Sequence, residues 1–116
     1  MQKSRIARVA EQLRQKLGQL ITTRLKDPRI GFVTLTHVEV APDLKQARVF
    51  FSLIGTEKER KSTSIALNWS RGFLQREIAR LLTLRFTPKL EFIFDTAIQE
   101  SIHLDEILQK IHEEAG

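Results

Sequence analysis

The sequence predicts an α+β domain of four helices and a three-stranded sheet. Apolar residues recur at steps of three and four over residues 4–25, 57–85 and 98–111, the spacing that lines one face of a helix, but alternate over 46–53 and 90–95, as a half-buried strand requires. Pro28, Pro42 and Pro88 stand where the period changes. A length of 116 residues, 41% hydrophobic and 28% charged, suits a single domain spanning 1–116 with one core, and the chain is too apolar to be disordered.

Each element has its own cause. Ile6, Val9, Leu13, Leu17, Leu20, Ile21 and Leu25 form the apolar face of a first helix, expected over about residues 4–26, with Ser4 as its N-cap. Arg5, Arg8, Arg14, Lys16 and Arg24 occupy its other faces, and Asp27-Pro28 ends it, because a residue before proline is pushed out of the helical region. Strands follow at Phe32 to Val40 and Gln46 to Leu53; in the second, Ala47, Val49, Phe51 and Leu53 alternate with Arg48, Phe50 and Ser52. Between them, proline presets φ at the first central position of Ala41-Pro42-Asp43-Leu44 and aspartate suits the next, so the two strands should form an antiparallel hairpin.

Helical spacing resumes over 57–85 with a break in it. Ile65, Ala66 and Trp69 make one stripe, Phe73, Leu74, Ile78, Leu81 and Leu82 another, and Ser70-Arg71-Gly72 lies between. Glycine costs about 1 kcal/mol relative to alanine inside a helix, so this point predicts a kink and two helices at an angle. Thr87-Pro88 stops the second. Leu90, Phe92 and Phe94 alternate with Glu91, Ile93 and Asp95 as a third strand, and an acidic amphipathic helix over about 98–114 carries Ile98, Ile102, Ile107, Leu108 and Ile111.

Several function classes fall away. With no cysteine there are no disulfides, thiolate zinc sites or thiol nucleophiles. No apolar run approaches the 18 or so residues of a membrane span, and charges occupy the N-terminal stretch where a signal peptide would be apolar, so a soluble, cytoplasmic protein without a membrane partner is expected. His37 falls in a strand, and His103 and His112 are nine apart, which is not the i, i+4 spacing of paired helical ligands. Phosphate-loop, dinucleotide and nucleophile-elbow patterns are lacking, and Gly31, Gly55 and Gly72 stand alone. No catalytic residue, metal or cofactor is expected.

Charge is more informative. Residues 1–31, 32–57, 58–89 and 90–116 carry net charges of +6, −1, +6 and −6. Two basic segments whose fields add if the fold joins them point to a polyanion. Arg71, Arg76, Arg80 and Arg85 follow the kink, Arg76 and Arg80 share a helical face, and Lys58, Arg60 and Lys61 begin the preceding helix. Guanidinium groups bind phosphate bidentately and Gly72 permits close approach, both suited to an RNA backbone crossing the kink. With no tyrosine and most of the seven phenylalanines on expected core faces, Trp69 is the one candidate for base stacking, against the alternative that it fills the core. A second reading makes residues 57–85 a DNA-binding helix-turn-helix, supported only by Gln75 and Arg76 on the second helix.

The element order is that of the type II KH arrangement, with a small-X-Gly kink in place of its Gly-X-X-Gly loop. Five stretches extend the likeness: Arg5-Ile6-Ala7-Arg8-Val9-Ala10; Leu25-Lys26-Asp27-Pro28-Arg29-Ile30-Gly31; Val38-Glu39-Val40-Ala41-Pro42-Asp43-Leu44-Lys45-Gln46-Ala47; Gly72-Phe73-Leu74; and Leu84-Arg85-Phe86-Thr87-Pro88-Lys89-Leu90-Glu91-Phe92. Over essentially its whole length the chain resembles the ribosome-binding factor A family. Ser70 takes the place of the family's usual kink alanine, and Gln75 sits where an arginine is common. The resemblance implies a bacterial, non-enzymatic assembly factor, linked to growth in the cold, that binds the immature small ribosomal subunit and assists processing of its 16S rRNA. It also implies release by a GTPase, and a monomer off the ribosome is expected. The expected RNA contacts are Arg5, Arg8, Lys26, Arg29, Arg71, Gly72, Arg76, Arg80, Arg85 and Lys89.

Overall fold

The computed structural model describes the backbone of residues 2–115 and the side chains of residues 5–97 and 104–114. The side chains of Ser4, Ile98, Ile102 and His103, given roles above, lie outside that range. The elements are α1 (Gln2–Arg24), β1 (Val33–Val40), β2 (Gln46–Leu53), α2 (Glu57–Trp69), α3 (Arg71–Leu81), β3 (Lys89–Phe94) and α4 (Ala97–Ala115), in the order the sequence predicts. β1 pairs antiparallel with β2, and β2 parallel with β3, giving the sheet order β1-β2-β3.

One face of the sheet carries the core. Ala47, Val49 and Phe51 of β2 and Leu90 and Phe92 of β3 meet Val9, Leu13, Leu17, Leu20 and Ile21 of α1, with Leu67, Leu74 and Ile78 closing the layer. In β1 the alternation is interrupted: Leu35 and Val38 are both buried, because the register slips by one residue between Leu35 and His37. Thr36 is the bulged residue, and its hydroxyl donates to Asp95 Oδ2 at 2.6 Å.

The hairpin turn follows the sequence. Leu44 N–H donates to the Ala41 carbonyl at 2.8 Å across Pro42-Asp43, and Asp43 Oδ1 accepts from Lys45 N–H at 3.0 Å. Leu44 itself, at φ 62°, holds the left-handed position usually given to glycine or asparagine. The α2 start is set by Thr56 and Glu59, each accepting from the other's backbone N–H, a reciprocal cap.

The kink is one residue long. Ser70, at φ −85° and ψ 4°, ends α2 and begins α3, and it keeps the helical ladder almost continuous, donating to the Ala66 carbonyl and accepting from Leu74 N–H. Two expectations need correction here. The second helix ends at Leu81 rather than 85, because Leu82 turns extended (φ −109°, ψ 137°) so that Leu82 and Leu84, two apart, both reach the core. The buried face of α2 is Thr63, Ala66 and Leu67, leaving Ile65 and Trp69 on the outside. Trp69 is 82% exposed and fills no core. Of the seven phenylalanines, Phe32 and Phe86 are exposed as well.

The helix pair holds β3 by its backbone. Phe92 N–H donates to Asn68 Oδ1 at 3.1 Å, Asn68 Nδ2 donates to the Phe92 carbonyl at 3.2 Å, and Leu90 N–H donates to Gln75 Oε1 at 3.0 Å. Residues 104–114 of α4 are exposed throughout. The Cα radius of gyration is 17.0 Å, against roughly 13 Å for a compact chain of this length, and the longest dimension is 59 Å, so α4 stands off the body.

Candidate nucleic-acid interface

Because α1 and α3 pack side by side, the two basic segments become neighbours. Their positive side chains gather at three places.

At one end, Arg5 and Arg8 of α1 share a groove of about 380 Å³ with Arg85, Phe86, Leu44 and Pro88. The Arg85 guanidinium lies 5.5 Å from the Phe86 ring centroid, so the groove has an aromatic edge beneath its cations.

At the other end, Glu77 of α3 serves three arginines. Arg80 Nη2 donates to it at 2.6 Å, and Arg24 from the last turn of α1 approaches at 3.7 Å while lying 5.6 Å from the Phe73 ring centroid. The Arg80 hydrogen bond, aided by the fields of Arg24 and Arg76, holds the Glu77 carboxyl below its ordinary pKa. One acid against three cations leaves this end positive.

Beside the kink lies an open groove of about 690 Å³ lined by Arg48, Arg71, Lys89, Glu91 and Asn68 among others. Arg71 is half-buried, its Nε donating to the Asn68 carbonyl at 3.2 Å. No side chain caps the α3 N-terminus, so no capping side chain occupies the first-turn N–H groups next to Arg71 and Gly72. A Cβ built on Gly72 meets only Arg76 Nη1, at 3.4 Å. Gly72 therefore relieves no crowding between the helices, and its surroundings are open to a ligand.

The remaining expected contacts sit apart. Lys26 is exposed in the loop after α1. Arg29 is bound by Asp27, its Nη2 donating to Oδ2 at 2.6 Å while its Nε reaches both oxygens, and this pairing holds the Asp27 carboxyl below its usual range. Asp27 also accepts from Arg29 N–H, so the Lys-Asp-Pro-Arg string builds a turn first, and Thr63 locks that turn to α2 by donating to the Arg29 carbonyl at 3.0 Å. Sequence reasoning missed Arg24 and Arg48 as members of the positive surface; Arg48 was legible as an outward strand position, but only the register that sets it beside Glu91 and Lys89 places it at the kink. Gln75, at a position where the resemblance leads one to expect an arginine, is spent on β3.

The fold and this surface define the class: an α+β domain of KH-like element order that presents cationic grooves along a kinked helix pair. The family model described as Ribosome-binding factor A matches residues 5–108. The Ribosome-binding factor A of Chloroflexus aggregans is 43% identical over 115 residues, covering 98% of this chain and 91% of that protein. Among solved structures, a Thermotoga maritima protein provisionally assigned as a ribosome binding factor A superposes with a TM-score of 0.70 at 35% identity, over 77% of this chain and 85% of that one. A Thermus thermophilus ribosome binding factor A, fitted as a homology model into a cryo-EM map of a 30S–RbfA complex, gives a TM-score of 0.64 at 28% identity over 75% and 91% of the two chains. The chain belongs to the ribosome-binding factor A family.

Proposed function

We propose that this protein binds the immature small ribosomal subunit through its cationic surface and assists maturation of the 16S rRNA. The observation that carries the reading is the joining of the two basic segments: Arg5, Arg8 and Arg85 at one end, Arg24, Arg76 and Arg80 at the other, and Arg71 and Lys89 beside the kink, where Arg48 of β2 joins them. Family membership, and the 30S complex described for the Thermus relative, support the same partner. A role in rRNA processing and in growth at low temperature, action in the cytoplasm as a monomer, and release by a GTPase extend the proposal by family resemblance. The mechanism is binding: phosphates replace solvent along the α1–α3 surface, and the uncapped first turn of α3 receives one of them beside Gly72.

The helix-turn-helix alternative loses its support. A single residue joins α2 to α3 where that motif has a turn of three or four, and Gln75, which would read a base, is occupied by Leu90 N–H.

Co-sedimentation of the protein with immature and mature small subunits tests the reading. Binding should favour the immature particle and weaken with salt, with a log–log slope of about −4 if six phosphates are neutralised at about 0.7 each. A flat salt response, or preference for translating ribosomes, overturns it.

A further inference from the structure

The cationic surface leaves α4 unused. Leu104, Ile107, Leu108 and Ile111 recur at helical spacing, and all are between 42% and 56% exposed. Asp105, Glu106, Glu113 and Glu114 flank them, with Lys110 and His112 the basic side chains described between. The root of this helix is held. Asp95 N–H donates to the Phe51 carbonyl at 2.7 Å, its Oδ2 accepts from Thr36 at 2.6 Å, and its Oδ1 accepts from Ala97 N–H at 2.9 Å, so one residue ties the first turn of α4 to the sheet. The helix is thus an arm with a fixed start and an uncovered apolar stripe.

We infer that this stripe docks on a cationic protein surface with an apolar groove, presented by the particle to which the basic face binds. The chemistry selects among occupants. The acids beside the stripe repel a nucleic-acid backbone and an anionic membrane alike, and two copies of α4 packed stripe to stripe would set acids against acids. An apolar groove covers the leucines and isoleucines, and positive charge on its rim answers Asp105, Glu106, Glu113 and Glu114. Proteins held against RNA neutralise phosphate and are therefore cationic, so a particle of RNA and protein offers such a rim. The two ends of the molecule then recognise different things: the body takes RNA, and the arm takes protein. This inference rests on the proposed binding to the small subunit.

The test compares two targets, intact immature small subunits and protein-free 16S rRNA, using the full chain. Leu104→Gln/Leu108→Gln removes the centre of the stripe with a good helix former, and Glu106→Lys/Glu113→Lys reverses the flank. Both should bind protein-free rRNA like the wild type or better, yet bind intact subunits about tenfold more weakly. A photocrosslinker at position 108 should label a basic protein of the subunit. Wild-type affinity of both variants for intact subunits overturns the proposal, as does labelling of rRNA from position 108. A concentration-dependent dimer in sedimentation, dispersed by the leucine substitutions, overturns it in favour of a second copy. Failure of the wild type to bind the subunit at all is distinct, and removes the parent reading and the inference together.

Discussion

Replacing Gly72 with glutamate separates what the kink does for the fold from what it does for binding. Gly72 is the second residue of α3, exposed, and an added Cβ would meet only the mobile end of Arg76 at 3.4 Å. Alanine there should gain up to about 1 kcal/mol of helix propensity. Glutamate gains somewhat less from propensity, but adds about 0.3–1 kcal/mol because α3 has no acid in its first turn to meet the dipole. Both variants should therefore melt higher than the wild type, by about 4 °C for each kcal/mol in a chain of this size. Binding should move the other way for glutamate alone. A carboxylate about 4 Å from a phosphate costs about 1 kcal/mol in water and about 4 kcal/mol at a surface of lower dielectric, and the new side chain would also draw Arg76 away from the ligand. Affinity for immature small subunits, measured by filter binding or co-sedimentation at fixed salt, should fall at least tenfold for Gly72→Glu and less than threefold for Gly72→Ala. Intact binding by a folded Gly72→Glu variant would remove the kink from the RNA surface and leave the α1 cluster as the main contact. Destabilisation by both in proportion to side-chain size would refute the openness of the site.

Further outcomes follow from other contacts. Asn68→Ala strands the N–H and carbonyl of the buried Phe92 and should destabilise the fold by roughly 2–3 kcal/mol in urea titration. Trp69→Ala should change stability by less than about 0.5 kcal/mol, and the emission of this lone tryptophan should be nearly the same folded and unfolded, because the ring is already in water. Arg80→Ala should weaken subunit binding and flatten its salt slope less than Arg85→Ala does, because Arg80 is already partly neutralised by Glu77. Asp95 titrates below the ordinary aspartate value of about 3.9, chiefly through its bond from Thr36 and then that from Ala97 N–H, so its contribution to stability is present above that value and lost as pH falls through its lower folded value. In thermal melts, Asp95→Asn should accordingly be less stable than the wild type at pH 7, with the gap narrowing below about pH 4.

What could be read from the chain depended on how local its cause was. Strands at 46–53 and 89–94, the Pro42-Asp43 turn and the kink at Ser70 all follow from patterns within a few residues, and the structure has them in place. The side of α2 that faces the core did not follow: Ile65 and Trp69 are the more apolar pair, yet Asn68 must face Phe92 to close the edge of β3, and Thr63 must face the Arg29 carbonyl, which turns the helix so that the large residues point outward. Leu82 carried helical spacing with its predecessors, and only its common destination with Leu84 in the core makes the chain extended there. The cationic surface was legible as two charged blocks, but not as three clusters, because the pairing of Arg24 with Glu77 across α1 and α3, and the place of Arg48 beside the kink, depend on residues more than 20 apart in sequence.

The bonds from Asn68 and Gln75 to β3 also decide how this protein can meet other copies of itself. Outward N–H groups on a border strand are a template for any extended chain, and a stack of sheets grows only when a molecule has two such borders, one to receive and one to offer. Here the β3 border is already answered at Leu90 and Phe92 by side chains of the molecule's own helices. The border at β1 remains, and the bulge at Thr36 breaks its regular pattern halfway along. A molecule with one interrupted border can at most pair once, so a fibre, which needs every member to pair twice, has nowhere to continue.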